Sequence, residues 1–124
     1  RIPVTRGAGT RVELRCPDPA ANPYLVLAVC LEAGLDGIRN QITPPDAVTE
    51  NVFEMQLQQR AKLGIESLPG DLEQAVEELE KDDYIKNVLG GHITEKYLEA
   101  KRAEWADYRA QVTEWEIEKY LYKI

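Results

Sequence analysis

The chain has 124 residues, of which 44% are hydrophobic and 30% charged, and its formal net charge is −7. This length supports one hydrophobic core but not two domains. The acidic surplus argues against non-specific nucleic-acid binding, and no apolar run is long enough to span a bilayer, so we expect neither a nucleic-acid nor a membrane partner. The chain begins at Arg1 without a Met, from which we expect a fragment or an excised domain.

The charges are unevenly distributed along the chain. Residues 1–40 contain five Arg and four acidic residues, a balance of +1, so the remainder carries −8. No Lys occurs before Lys62. Because the planar guanidinium of Arg binds phosphate and carboxylate in a bidentate manner that Lys cannot match, this usage favours the recognition of anions by the N-terminal third.

Apolar and charged residues alternate between Arg11 and Arg15, a period of two that predicts a half-buried β-strand. Val12 and Leu14 then face one side, and Arg11, Glu13 and Arg15 face the other. One carboxylate bracketed by two permanent cations suits a site that holds a metal ion and two anionic groups. The alternative is the solvent-facing side of an antiparallel sheet, where mixed charges are common.

The next predicted element is a helix over residues 22–38. Asn22 can cap this helix and Pro23 occupies its first position, the favoured arrangement. The helix is apolar on nearly every side and is therefore predicted to be buried, against a sheet that is mostly missing from this chain. A loop region is predicted over residues 39–70, with a short helix over residues 56–63.

The remainder of the chain is predicted to be helical over residues 71–112. Asp71 caps the first of these helices, Asp82 begins the second, and the Gly90–Gly91 pair ends it. Thr113 and Glu116 form a capping box that opens a last helix over residues 113–124. Its aromatic and aliphatic residues lie on more than one side, so this tail is expected to dock on another surface.

The two cysteines, Cys16 and Cys30, fit no zinc-binding spacing. We expect them to be buried thiols of a cytoplasmic protein, with a disulfide as the alternative.

Several ordered motifs resemble the C-terminal part of the catalytic domain of bacterial-type (class I) glutamine synthetase, and the similarity covers essentially the whole chain. The run within residues 11–38 is highly specific. The matching segments are Arg1-Ile-Pro, Arg11–Arg15, Pro17–Tyr24, Ala33–Ile38, Asn51–Glu54, Leu68-Pro69 and the closing segment from Trp115 to Tyr120.

The resemblance implies an α+β fold. Short antiparallel strand segments over residues 1–16 would contribute to the active site, and a mostly helical C-terminal portion would follow. The implied activity is an ATP-dependent glutamate–ammonia ligase that makes glutamine through γ-glutamyl phosphate, with ATP, glutamate and ammonia as substrates and Mg²⁺ or Mn²⁺ as cofactor. This chain alone would be inactive, because most metal ligands would lie upstream of it.

The resemblance also implies roles for individual residues. The position of Glu13 supplies a metal ligand, Arg15 holds the glutamate carboxylate, and Arg1 and Arg11 face the ATP phosphates. Many relatives carry a Lys in the preceding loop that reaches ATP; Arg6 is the candidate to substitute for it here. None of these residues is predicted to act as a catalytic acid, base or nucleophile.

Two further expectations follow from the resemblance. Phe53 lies where some relatives carry a Tyr that is adenylylated, so that form of control is predicted to be absent. The final helix, residues 113–124, is expected to join two hexameric rings into a dodecamer. The alternatives are a non-catalytic assembly module and a regulatory paralogue of the same fold; retention of Arg1, Arg11, Glu13 and Arg15 counts against the paralogue.

Overall fold

A computed structural model of the chain describes residues 2–123. The chain divides into two compact units, Arg1–Leu68 and Pro69–Ile124, which we describe separately. No helix within the described part is both long and apolar enough to cross a membrane.

The first unit consists of short elements joined by extended segments. Its hydrophobic centre is Met55, which is 6% exposed, and the Arg60 side chain donates a hydrogen bond to the Met55 carbonyl at 3.2 Å. The elements are a 3₁₀ turn (Gly7–Gly9), helix α1 (Pro23–Arg39), a second 3₁₀ turn (Val52–Glu54) and helix α2 (Leu57–Lys62).

The predicted antiparallel strands over residues 1–16 are wrong for the described residues. From Ile2 to Lys123 the backbone forms no strand, and the segment after the Gly7–Gly9 turn is extended without a partner. The physical reason is that alternation determines which side chains share a face, whereas a strand also needs a neighbour for its ladder of hydrogen bonds. The α+β class therefore becomes an all-helical arrangement within the described chain.

Helix α1 begins as its sequence predicts. The Asn22 side-chain oxygen accepts hydrogen bonds from the amides of Tyr24 and Leu25 at 3.0 and 3.3 Å. Pro23 occupies the first position of the helix, where its lack of an amide N–H leaves no donor unsatisfied. No residue of the helix is buried in the described chain. Its exposed apolar side chains include Tyr24, Leu27, Leu31 and Ile38. The predicted burial of this helix against a missing sheet stays a prediction.

The second unit is built from three helices that pack against one another: α3 (Leu72–Lys81), α4 (Asp83–Leu89) and α5 (Gly91–Arg109). Asp71 caps α3 through the Gln74 amide at 2.8 Å, and Asp82 caps α4 through the Ile85 amide at 3.0 Å. Both caps match the sequence prediction, because each is a hydrogen bond between residues three apart in the chain.

The junction between α4 and α5 is made by Gly90, whose φ of 78° and ψ of 152° lie in a region that only glycine adopts readily. This conformation lets α5 fold back on α4, and the Thr94 hydroxyl then donates to the Lys86 carbonyl at 3.2 Å. Thr94 is 7% exposed and Val76 of α3 is 6% exposed. The turn and these two side chains are the centre of the unit.

The tail carries the predicted capping box. The Thr113 amide and hydroxyl each donate to Glu116 at 2.8 Å, and the Glu116 amide donates to the Thr113 hydroxyl oxygen at 3.2 Å. A short helix, α6 (Glu114–Glu116), continues directly into a π-helical turn (Ile117–Leu121). The Trp115 and Tyr120 rings pack edge to face at 5.8 Å.

The cysteine prediction is wrong in one respect. Both thiols are free, but Cys16 is exposed and Cys30 is only partly covered, so neither is a buried thiol in the described chain. The expectation failed because burial was inferred from residue type, while the segments that carry these residues lack a packing partner here.

Candidate functional site

The candidate site is a cluster of three charged side chains on the extended segment that follows the first 3₁₀ turn. Arg11 donates to Glu13 Oε1 from both Nε, at 3.0 Å, and Nη2, at 2.7 Å. Arg15 Nη2 donates to Glu13 Oε2 at 3.1 Å. Both carboxylate oxygens are therefore paired with guanidinium groups, and the three side chains lie on the same side of the segment, as the alternation predicted.

The cluster is open to solvent at its edges and covered at its centre. The side chains of Arg11 and Arg15 are 53% and 75% exposed, whereas that of Glu13 is 20% exposed. Ion pairs this accessible contribute only about 0–1 kcal/mol to stability. The cluster therefore does little to hold the fold together, and its fixed charges are available for recognition.

The apolar side of the same segment is uncovered. Val12 is 75% exposed and Leu14 is 57% exposed, so both are more accessible than the carboxylate between them. The sequence predicted that these apolar side chains would be covered, but in the described chain they are exposed to solvent.

The loop before the cluster is held by its own polar contacts. Arg6 Nη1 donates to the carbonyl of Pro3 at 2.8 Å and to that of Thr5 at 3.4 Å. Arg11 Nη1 donates to the Gly9 carbonyl at 3.1 Å. The sequence analysis did not predict this role of Gly9.

The donor chemistry suits a divalent metal ion only in part. Glu13 offers the oxygen ligands that Mg²⁺ and Mn²⁺ prefer, but such ions take about six ligands. Between residues 2 and 123 no group of three or more His, Cys, Asp or Glu side chains is placed to hold a metal. Glu13 can therefore supply one carboxylate ligand, and the remaining ligands must come from other groups.

The structure brings together three of the five predicted site residues: Arg11, Glu13 and Arg15. Arg6 lies in the preceding loop, where its guanidinium binds backbone carbonyls. Arg1 lies outside the described residues.

Phe53 and the tail are both accessible. Phe53 is 91% exposed. In the tail, Trp115, Tyr120 and Leu121 are 58%, 61% and 59% exposed, and Tyr122 is 82% exposed.

A second concave surface lies between α3 and α5, with a volume of about 300 Å³. Its charged groups partly neutralise each other, since Arg102 forms an ion pair with Glu80. The indole Nε1 of Trp105 is buried there without a hydrogen-bond partner. The lining comprises Glu73, Val76, Glu77, Glu80, Arg102, Trp105, Ala106 and Arg109.

Comparison with known proteins identifies the family of the chain. Residues 1–120 match the model of the glutamine synthetase catalytic domain. The chain belongs to this family. The three clustered residues Arg11, Glu13 and Arg15 lie within the matched segment, so they are part of a glutamine synthetase catalytic domain.

Individual relatives agree with this assignment. The chain is 53% identical to glutamine synthetase of Clostridium saccharobutylicum over 99% of its own length and 28% of that protein. It is 51% identical to glutamine synthetase of Methanocaldococcus jannaschii over 98% of its length and 27% of that protein. A solved structure described as apo GmaS without ligand is similar with a TM-score of 0.73 and 41% identity, over 88% of this chain and 25% of that one. The chain thus spans about a quarter of the length of these relatives.

Proposed function

We propose that this chain forms part of the active site of an ATP-dependent glutamate–ammonia ligase, and that it is inactive by itself. The observation that carries the proposal is the Arg11–Glu13–Arg15 cluster within a glutamine synthetase catalytic domain. In this reaction the glutamate side-chain carboxylate takes the terminal phosphoryl group of ATP and ADP leaves. Ammonia then attacks the γ-glutamyl phosphate, loses a proton, and releases phosphate and glutamine.

Each residue of the cluster has a role that its chemistry supports. Arg11, together with Arg1, would neutralise the charge of the ATP phosphates, because phosphoryl transfer is catalysed mainly by fixed positive charge and positioning. Arg15 would hold a carboxylate of glutamate, for which a planar guanidinium is well suited. Glu13 would contribute one ligand to Mg²⁺ or Mn²⁺. When bound, such an ion withdraws negative charge from the phosphate oxygens.

The arrangement also supports exchange of partners at Glu13. In the described chain both of its oxygens accept from guanidinium groups. A metal ion bound at Glu13 Oε2 would replace the pairing with Arg15 and leave Arg15 able to bind an anion, while Arg11 would keep its bonds to Oε1. The same three residues would then have a role both before and after a metal ion binds.

Substitution of Glu13 in a polypeptide of the relatives' full length tests this proposal. Glu13→Ala should lower the rate of ADP release with glutamate and ammonia at least about 100-fold, the upper range for loss of groups around a bound metal. Glu99→Ala is the matched control, because Glu99 is an exposed helix residue that pairs with Lys96. The 124-residue chain alone should show no turnover. Full activity of Glu13→Ala would contradict the metal role.

A second proposed property is assembly through the tail. The exposed side chains of Trp115, Tyr120, Leu121 and Tyr122 form an apolar surface of the kind that associates with another chain. In the complete protein, residues 113–124 would join two hexameric rings into a dodecamer. We also place the protein in the cytoplasm, where free thiols such as those of Cys16 and Cys30 persist.

Light scattering on the full-length polypeptide with and without residues 113–124 tests the assembly role. Truncation should reduce the particle mass by half, with activity per subunit measured in parallel. A triple substitution of Trp115, Tyr120 and Leu121 to Ala keeps the chain length and should give the same halving. An unchanged mass in both cases would exclude the tail as an assembly element.

A further inference from the structure

The loop of residues 3–10 is held by hydrogen bonds from its own Arg6 side chain to its backbone carbonyls. Arg6 is the only residue of this loop with a long cationic side chain, and its Nη1 donates to the carbonyls of Pro3 and Thr5. The first bond, at 2.8 Å, is within the ordinary range for an N–H···O hydrogen bond. The guanidinium thus spans the start of the loop and holds it closed.

The other side of the loop depends on the absence of a side chain at Gly9. A Cβ atom built on Gly9 would lie 2.6 Å from Cγ2 of Thr5 and 3.3 Å from its Cβ. The first distance is well inside van der Waals contact, so a larger residue at position 9 would displace the Thr5 side chain or move the two parts of the loop apart. Gly9 therefore has a steric role here, since its φ is not in the left-handed region.

This loop is connected directly to the charged cluster. The carbonyl of Gly9 accepts from Arg11 Nη1 at 3.1 Å, and the same guanidinium uses Nε and Nη2 to hold Glu13 Oε1. Because the guanidinium is planar and rigid, a bond from each of its three nitrogen atoms fixes its orientation. The position of the Gly9 carbonyl consequently sets the plane of Arg11 and, through it, the direction of the Glu13 carboxylate.

We infer that residues 3–10 form a positioning loop, in which Arg6 and Gly9 orient the metal ligand Glu13 through Arg11. The inference rests on the proposed metal role of Glu13. In it, Arg6 acts on the protein backbone and does not contact the nucleotide, which differs from the role predicted for Arg6 from the sequence.

Equilibrium binding of Mn²⁺ to the full-length polypeptide without ATP provides the test, with the half-saturating Mg²⁺ concentration for activity as a second measurement. Gly9→Ala should weaken Mn²⁺ binding about tenfold, the usual cost of losing an outer-shell partner of a metal ligand. Thr5→Ser removes the Cγ2 atom that a residue at position 9 would meet. The double variant Thr5→Ser, Gly9→Ala should therefore regain most of the lost affinity.

Arg6→Gln tests the same loop without adding atoms, which keeps the inference testable if Gly9→Ala does not fold. It too should weaken Mn²⁺ binding about tenfold. A raised KM for ATP with unchanged Mn²⁺ binding in Arg6→Gln would overturn the inference and return Arg6 to direct nucleotide contact. Failure of Thr5→Ser to rescue a folded Gly9→Ala would also overturn it.

Two further variants separate this inference from the proposed function. Gly91→Ala is the matched glycine control, because a Cβ there meets nothing within 4 Å, and its Mn²⁺ binding should equal that of the parent. Glu13→Gln should weaken Mn²⁺ binding. If it does while Gly9→Ala and Arg6→Gln bind normally, only the positioning loop is wrong. If Glu13→Gln binds Mn²⁺ normally, the proposed metal role fails, and the loop inference fails with it.

Discussion

The two units of the chain differ in how far their apolar side chains are covered. In Pro69–Ile124, α3, α4 and α5 are one another's packing partners, and Val76 and Thr94 are buried between them. Within the described residues of Arg1–Leu68 the buried apolar side chains are Pro3 and Met55, while no residue of α1 is buried and the apolar side chains of the extended segment are exposed. The second unit satisfies its own contacts, whereas the first presents both a charged cluster and uncovered apolar surface.

Charged residues show the same difference. In the second unit, most of the described ion pairs join residues three apart on one helix, as in Lys81–Glu78 and Lys96–Glu99, and Arg102–Glu80 joins α5 to α3. Pairs within one helix each stabilise it by about 0.2–0.5 kcal/mol. In the first unit, Arg11 and Arg15 converge on a single carboxylate that is only 20% exposed. Convergence of two cations on one anion is typical of a binding site, and spacing along a helix is typical of a solvated surface.

A matched pair of valine substitutions should give the largest difference in stability between the units. Val76→Ala should lower the free energy of unfolding by about 1.5–3 kcal/mol, because the side chain is 6% exposed. Val12→Ala should change it by less than about 0.5 kcal/mol in the 124-residue chain, because Val12 is 75% exposed. Urea denaturation followed by circular dichroism measures both. Equal losses would show that the two units do not differ in packing.

The same pair also tests whether α1 and the extended segment are covered in a longer polypeptide. In a protein of the relatives' full length, Val12→Ala should become destabilising by about 1.5–3 kcal/mol if other segments cover the apolar side of the extended segment. Val76→Ala should lower the free energy of unfolding by the same amount in the 124-residue chain and in the full-length protein.

Substitution of Gly90 should have a smaller effect on stability, and this effect is specific to the second unit. Gly90→Ala should destabilise it by about 1–3 kcal/mol, because φ of 78° with ψ of 152° is strained for any residue with a side chain. Gly91→Ala should leave stability unchanged or raise it slightly, since Gly91 begins α5 and a Cβ there meets nothing. Thermal unfolding of the two variants measures the difference. A loss from Gly91→Ala as large as that from Gly90→Ala would contradict the role of backbone conformation.

The smallest expected effect is a pH dependence of the tail. The amide and hydroxyl of Thr113 donate to the Glu116 carboxylate and hold its pKa below the ordinary value of 4.5. Because the folded-state pKa is lowered, the stabilisation is present above pH 4.5 and is lost as the pH falls through the lowered pKa. The Thr113 amide resonance should therefore move only in acid. Glu116→Gln should abolish that movement and Glu118→Gln should not.

Much of the helical structure follows from short-range chemistry in the sequence. Each of four helix caps joins groups no more than three residues apart, so it can form regardless of the surrounding structure. These caps are at Asn22, Asp71, Asp82 and Thr113. Gly90 ends α4 for an equally local reason, its positive φ. The shared side of Arg11, Glu13 and Arg15 was likewise predicted, because side-chain direction alternates along any extended segment.

The wrong predictions concern partners that lie outside a local window, whereas the omissions concern hydrogen bonds between residues two or three apart. Alternation predicted a strand, but a ladder needs a neighbour, and none of the described residues provides one. The two cysteines were predicted to be buried thiols, yet Cys16 is exposed. The bonds from Arg6 to Pro3 and from Arg11 to Gly9 were missed because residue type alone does not reveal which acceptor a guanidinium reaches.

The sequence by itself determined where several of the helices begin, which charged side chains share a side, and the family to which the chain belongs, because these depend on neighbouring residues and on their order. Only the structure showed that Glu13 accepts from both Arg11 and Arg15, that the Gly9 carbonyl accepts from Arg11, and which apolar surfaces are covered. Those features depend on distances between groups that the order of residues leaves free, since a side chain contacts whatever the folded backbone brings within its reach.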